Sequence, residues 1–229
     1  MFKAEAILFF RRSRERARRE DQSMDNTRFV LVRHGQTAWN REVRFRGRED
    51  LPLDETGVRQ AQAAAQTIAQ RYRPAALYSS PLTRTRQTAA PISEATGLSV
   101  QIEDGLIDID YGDWQGLAPT EAAARYGPLY ETWLQRPQFV SIPHGESLVE
   151  VRARIWTTLT TLRNRHPDQT IVLVGHQATN KVLLCTVLGL TEGAFWSIAQ
   201  DTACINVFSW TGTRFVLEML NDTCHLQKM

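Results

Sequence analysis

The sequence predicts an α/β fold, a mostly parallel central sheet covered by helices on both faces, and three observations carry that prediction. Two short segments, 29–32 and 170–175, are apolar without alternation, as strands buried on both faces are. Both run out into a histidine, His34 and His176, and strand carboxyl ends are where open α/β sheets bind ligands. Amphipathic helical patterns alternate with strand-like segments along most of the chain. At 229 residues and 42% hydrophobic, the chain is long enough for one substantial core with a small insertion.

The elements follow in order. Residues 1–25 read as a basic N-terminal extension outside the core. Up to position 24 it holds Lys3 and six arginines against four acids, a net charge of +3, which leaves the rest at −1. A near-neutral body has no field for a polyanion, so nucleic acid is not an expected partner. The apolar piece 6–10 is too short for a signal segment, and no run approaches membrane-spanning length. Cys185, Cys204 and Cys224 are odd in number and lack CxxC spacing, which suits reduced thiols in a cytoplasmic protein.

After the first strand comes an Arg33-His34-Gly35 corner, where Gly35 lets the backbone turn close to a ligand, then a charged loop to Asp54. Thr56 is the expected cap of a helix to Tyr72, with Val58, Ala61, Ala65 and Ile68 on one stripe. Residues 75–80 read as a second strand. Pro81 then reads as a first-turn proline, placing Arg84 and Arg86 near a helix start that favours anions. Pro91 should kink or shorten that helix. Residues 98–102 and 106–110 alternate like strands, the second placing Asp108 and Asp110 on one side. Residues 117–144 break the rhythm and are rich in aromatics, which fits either a short cap or ordinary packing, with one helix stopping at Gly127. Ser147 and Glu150 have capping-box spacing ahead of a helix whose buried face is Leu148, Val151, Ile155, Leu159 and Leu162. A buried helix over 178–188 and a strand pair around Thr211 and Gly212 complete the chain, so residues 26–229 read as one domain.

If these strands share a sheet, Arg33, His34, Arg84, Asp108 and His176 meet at one edge, the two imidazoles face to face across a phosphate-sized space. Guanidinium matches phosphate oxygens bidentately, imidazole serves as nucleophile or donor, and a carboxylate can protonate a leaving alkoxide. Taken singly, each residue also suits a surface or capping role.

Five ordered motifs, LVRHGQTAWN at 31–40, SSPLTRTRQTA at 79–89, LIDIDYGDWQG at 106–116, GES at 145–147 and VGH at 174–176, resemble those of the histidine phosphatase superfamily, also called phosphoglycerate mutase-like. The resemblance implies that family's three-layer αβα sandwich with a small helical cap. It implies His34 as the nucleophile that becomes phosphohistidine, with Arg33, Arg84 and His176 on the phosphoryl group. Asn40 matches a further phosphate position, and Arg46 with Gly47 a substrate-loop position. Asp108 stands where the family usually has glutamate, with Asp110 as the competing proton donor. Gln177, Ala178, Thr179 and Asn180 replace a glycine-rich stretch after the second histidine.

The implied activity is metal-independent hydrolysis of a small phosphate ester, with no cofactor. Residues 117–144 are shorter and less basic than the insertion of the cofactor-dependent mutases, which makes mutase activity the alternative. The tail NDTCHL at 221–226, with the preceding QDTACIN at 200–206, resembles metal-independent phosphoserine phosphatases. Alpha-ribazole phosphatases are similar. In that reading His225 folds over the pocket onto the substrate. A weakly active phosphate-ligand sensor is the reading of another class, and a homodimer is the assembly the family suggests.

Overall fold

The computed structural model describes residues 26–227; the basic extension and the last two residues lie outside them. Six strands form one sheet: β1 (Asn26–Arg33), β2 (Ala76–Ser79), β3 (Val100–Ile102), β4 (Thr170–Gly175), β5 (Ile205–Thr211) and β6 (Phe215–Asp222). Their spatial order is β3-β2-β4-β1-β5-β6. The first four in that order run parallel, while β5 is antiparallel to β1 and β6 to β5.

Alternate residues of the central strands supply two separate cores, the pleat sending Phe29, Leu31, Ile171 and Leu173 one way and Val30, Val32, Val172 and Val174 the other. Helices α2 (Glu55–Arg71) and α3 (Thr83–Thr96) cover the valine face through Ala64, Ala65, Ile68, Ala89 and Ile92. On the other face lie α5 (Leu148–Arg165) and α6 (Gln177–Val187). All five predicted core residues of α5 are buried, each worth about 1.5–3 kcal/mol of apolar transfer, and the Ser147–Glu150 capping box starts the helix.

This topology places the site. From β1 the chain leaves through α2 on one face, and from the adjacent β4 it leaves through α6 on the other. The carboxyl ends of β1 and β4 therefore flank a crevice. Register pairs Arg33 with Gly175, and the His34 amide donates to the Gly175 carbonyl at 3.0 Å, so both histidines emerge side by side.

Several local expectations are corrected. The cap of α2 is Asp54, whose carboxylate accepts from the Gly57 amide at 2.9 Å; Thr56 already lies inside the helix. Val58, placed on the buried stripe, is exposed, and Ala64 is buried instead. Pro81 precedes α3, whose cap is Leu82, and α3 runs through Pro91 to Thr96. Proline there costs one amide, and the carbonyl it frees belongs to exposed Gln87, open to water. A four-residue helix, α1 (Ala38–Arg41), interrupts the charged loop.

Residues 106–110 are not a strand. Leu106 closes a 3-10 turn and 107–110 form a strap outside the sheet, where Arg154 of α5 donates to the carbonyls of Gly105, Ile107 and Asp108 at 2.8, 2.7 and 3.2 Å. Helix α4 (Pro119–Gln135) breaks at Gly127, which has φ 33 and ψ −104. Trp114 and Trp133 are wholly buried in the core, their ring centroids 5.9 Å apart. No described helix is long and apolar enough to cross a membrane.

Candidate active site

The RHG corner is pressed against the start of α2. A Cβ on Gly35 would collide with the Gly57 carbonyl, and one on Gly57 with Gln36, so each glycine makes room for the other segment. The Gly35 amide donates to Thr88 Oγ of α3 at 3.1 Å. Buried His34 is thereby fixed, with Nδ1 at 2.7 Å from its neighbour's carbonyl, Gly35 O. A carbonyl only accepts, so Nδ1 carries the proton and the lone pair lies on Nε2, which is buried without a partner among the described residues.

His176 meets His34 with ring centroids 5.3 Å apart and planes 60° apart. The rings therefore touch rather than face each other across a gap, and a ligand must approach both from the side. Ser80 Oγ lies 2.8 Å from His176 Nε2, and Arg84 Nε–H donates to Nδ1 at 3.2 Å. The acceptor role of Nδ1 assigns the proton to Nε2, which donates to Ser80.

Arg84 is completely buried and held like a template, donating to the carbonyls of Gly47 and Glu49, both at 2.7 Å, and to Asp108 Oδ2 at 3.3 Å. Asp108 in turn sits 3.8 Å from His176 Nδ1 and accepts from Thr179 Oγ at 3.4 Å and the Ile109 amide at 3.0 Å. Arg33 donates to the Gln200 carbonyl. Arg46 has only two long contacts, 3.5 Å to Trp39 O and 3.5 Å to Gln177 Oε1.

Three guanidiniums thus surround one carboxylate and two imidazoles, an excess of positive charge suited to a phosphoryl dianion. The field acts on the histidines. Burial first, then Arg84, Arg33 and Arg46, hold His34 well below the ordinary 6.5. Burial and then Arg84 do the same to His176, so both are neutral near pH 7. Burial and Arg46 push Arg33 down to about 9, which keeps it charged at that pH.

Above this cluster opens a cleft of about 500 Å³. Its lining includes Arg33, Asn40 and Arg46 together with Phe45, Tyr130 and Trp196. Asn40 Oδ1 accepts from the amide and hydroxyl of Thr37 at 2.9 and 2.8 Å, which turns its NH2 group away from Thr37. Gly47, at φ 51, serves Arg84 through its carbonyl.

The other expected residues lie elsewhere. Asp110 points away from Asp108, pairing with Arg48 at 3.5 Å and accepting from the Gly112 amide at 2.9 Å. Exposed Arg86 bonds Thr83 at 3.2 Å. His225 lines a groove beside α2, outside the cleft, with Nε2 at 3.1 Å from the Ala203 carbonyl. Four supporting residues escape a reading of the sequence alone: Ser80 and Thr179 against the catalytic groups, Arg154 behind the strap and Gln200 behind Arg33. Only Ser80 carried a signal, its place in the SSP stretch. Of the four residues replacing the glycine-rich stretch, Gln177 faces the cleft, Thr179 supports Asp108 and Asn180 packs on Gly175.

The chain resembles known proteins in sequence and in fold. The family model described as histidine phosphatase superfamily (branch 1) matches residues 29–223. Phosphoserine phosphatase 1 of Hydrogenobacter thermophilus is 38% identical over 199 residues, 87% of this chain and 94% of its own. The metal-independent phosphoserine phosphatase of Arabidopsis thaliana is 29% identical, covering 89% of this chain and 84% of its own. Among solved structures, a mutant phosphoserine phosphatase from Entamoeba histolytica in complex with phosphoserine superposes with a TM-score of 0.79 at 27% identity, over 87% of this chain and 99% of its own. The chain is a phosphatase of the histidine phosphatase superfamily, branch 1.

Proposed function

We propose that this phosphatase hydrolyses a small phosphomonoester, phosphoserine foremost, through a phosphohistidine on His34 and without a metal ion. The observation that carries the reading is the free Nε2 of His34, its lone pair directed by the Nδ1–Gly35 bond and unblocked by any partner among the described residues. Neutrality at pH 7 keeps that lone pair available. Among the described residues no group of three or more His, Cys, Asp or Glu is placed to hold a metal ion, and the guanidiniums supply the charge stabilisation instead.

In the first step Nε2 attacks phosphorus in line and the ester P–O bond breaks. Arg33, Arg46, Arg84 and Asn40 hold the non-bridging oxygens, the Nε2–H of His176 leaves Ser80 to join them, and Asp108, protonated in the substrate complex, gives its proton to the departing alkoxide. In the second, Asp108 takes a proton from water as the water oxygen attacks the phosphohistidine, releasing inorganic phosphate. The aspartate, one methylene shorter than glutamate, is brought into reach because Arg154 and Thr179 draw in the strap beside it. The shortness of residues 117–144 favours water over retention of an intermediate, and so hydrolysis over mutase chemistry.

The test is phosphate release from phosphoserine, 3-phosphoglycerate, alpha-ribazole phosphate and a sugar phosphate with chelator present. Phosphoserine turnover should survive chelation and fall at least about 1,000-fold in His34→Ala. Brief mixing of His34→Ala with substrate should leave no acid-labile phosphate on the protein, whereas wild type should show it. Release from none of the esters would overturn the reading, and isomerisation of 3-phosphoglycerate without phosphate loss would replace it with the mutase.

A further inference from the structure

The segment from Gln200 to Cys204 has two sides. Its backbone holds the catalytic corner: the Gln200 carbonyl accepts from Arg33 Nη1, the Cys204 carbonyl from the Arg33 amide at 3.2 Å, and the Ala203 amide donates to the His34 carbonyl at 3.1 Å. Its other side, through Asp201 and Thr202, lines the cleft. Among the described residues Asp201 is the only acidic one on that lining, which also carries Arg33, Arg44 and Arg46.

This carboxylate is also fixed in place. Asn221, at the end of β6, accepts from the Asp201 amide at 2.7 Å and donates to Asp201 Oδ2 at 2.8 Å, a reciprocal pair. The Asn221 amide is itself anchored to Asn206 Oδ1 at 2.8 Å, and Thr202 Oγ accepts from Gln60 at 3.0 Å. Among the described residues Oδ1 of Asp201 has no hydrogen-bond partner, and the side chain is exposed to the cleft. Because one short segment carries both Asp201 and the bonds to Arg33 and His34, the distance from this carboxylate to the phosphoryl position is set by backbone. Arg46, held by contacts of 3.5 Å, is a cation of the same cleft.

We propose that Asp201 determines specificity by binding a cationic group, an ammonium, on the alcohol part of the substrate. The proposal rests on the phosphatase reading above and deepens it: the preferred substrate class is the phosphate ester of an amino alcohol or hydroxy amino acid. An ammonium placed against this fixed carboxylate gains a charge-assisted hydrogen bond that a hydroxyl at the same position cannot match. The arrangement selects by charge.

Phosphoserine and 3-phosphoglycerate form a matched pair, differing by ammonium against hydroxyl at one carbon. The measured quantity is the ratio of their kcat/KM values in wild type, Asp201→Asn and Asp201→Glu, with folding of each variant checked by circular dichroism. Wild type should favour phosphoserine, and Asp201→Asn should lower the ratio by about 10- to 100-fold, the worth of a hydrogen bond to a charged group. Asp201→Glu, which keeps the charge but displaces it, should fall between. If the carboxylate merely braces the loop or offsets Arg33, both substrates suffer together and the ratio stays within about threefold, which overturns the assignment while leaving phosphoserine hydrolysis standing. A wild type that hydrolyses 3-phosphoglycerate but not phosphoserine overturns both.

Discussion

The two buried histidines should make the protein acid-sensitive by an amount whose upper bound is set by the ordinary histidine pKa. Each is neutral in the folded state, its pKa held well below 6.5 by burial and by the guanidiniums, and each returns to about 6.5 on unfolding. A histidine with a depressed folded pKa contributes stability that is present above 6.5 and lost as pH falls. The unfolded state gains RT ln(1 + 10^(6.5 − pH)) per group, about 0.2 kcal/mol at pH 7.0 and about 1.4 kcal/mol at pH 5.5. For two groups the loss between those pH values is about 2.5 kcal/mol. The double variant His34→Asn, His176→Asn should escape this loss whatever its absolute stability. His225, lowered mainly by burial, acts in the same direction, and exposed His144, raised by Asp113, acts in the opposite one; both are common to the two proteins and cancel. The windows of Asp54 and Asp222, both lowered, lie beneath 3.8 and outside the range. Urea unfolding followed by circular dichroism at pH 7.0 and 5.5 gives the two differences. If the double variant loses as much stability as wild type, within about 0.5 kcal/mol, the histidines are not buried neutral and the electrostatic account of the site fails.

Three substitutions probe the scaffold. Gly35→Ala drives a methyl into the Gly57 carbonyl, so thermal unfolding should show a loss of about 1–3 kcal/mol and kcat should collapse as His34 shifts; wild-type kcat would refute the close approach. Arg84→Lys keeps a charge but loses the fork that reaches Gly47, Glu49 and Asp108, and kcat/KM should fall at least about 100-fold. Trp133→Ala empties a site packed by Trp114, Phe195 and Trp196, and chemical denaturation should register a cost of about 3–5 kcal/mol.

How much of this could be read from the chain depended on whether the cause was local. The unbroken apolar runs of β1 and β4 and the capping box of α5 are signals within a few residues, and the structure places those elements where the pattern does. The segment 106–110 misled because alternation describes side chains, whereas a strand needs a partner ladder, and Arg154 supplies the bonds from 46 residues away. Asp54 and Thr56 are both good caps in sequence; only the fold, which brings Gln36 to Asp54 at 3.0 Å, separates them. For the site, the residues that present charge were legible as types at strand ends. Most of the polar groups that orient them were not: Ser80 had its place in the SSP stretch, but Thr179 and Gln200 have no spacing that distinguishes them from surface residues. His225 shows the reverse error: a plausible residue type in a suggestive tail, turned by the fold onto the Ala203 carbonyl.

The pairing of Arg33 with Gly175 has a wider consequence. Because both imidazoles follow the same last pair of adjacent strands, their spacing is a property of the sheet, while most of the cleft lining comes from loops and α4. The 200–204 segment is the link between the two, bracing Arg33 and His34 with its backbone while it carries Asp201 into the cleft. A substitution elsewhere on the rim leaves the spacing of the imidazoles alone, whereas one in this segment is felt at both places.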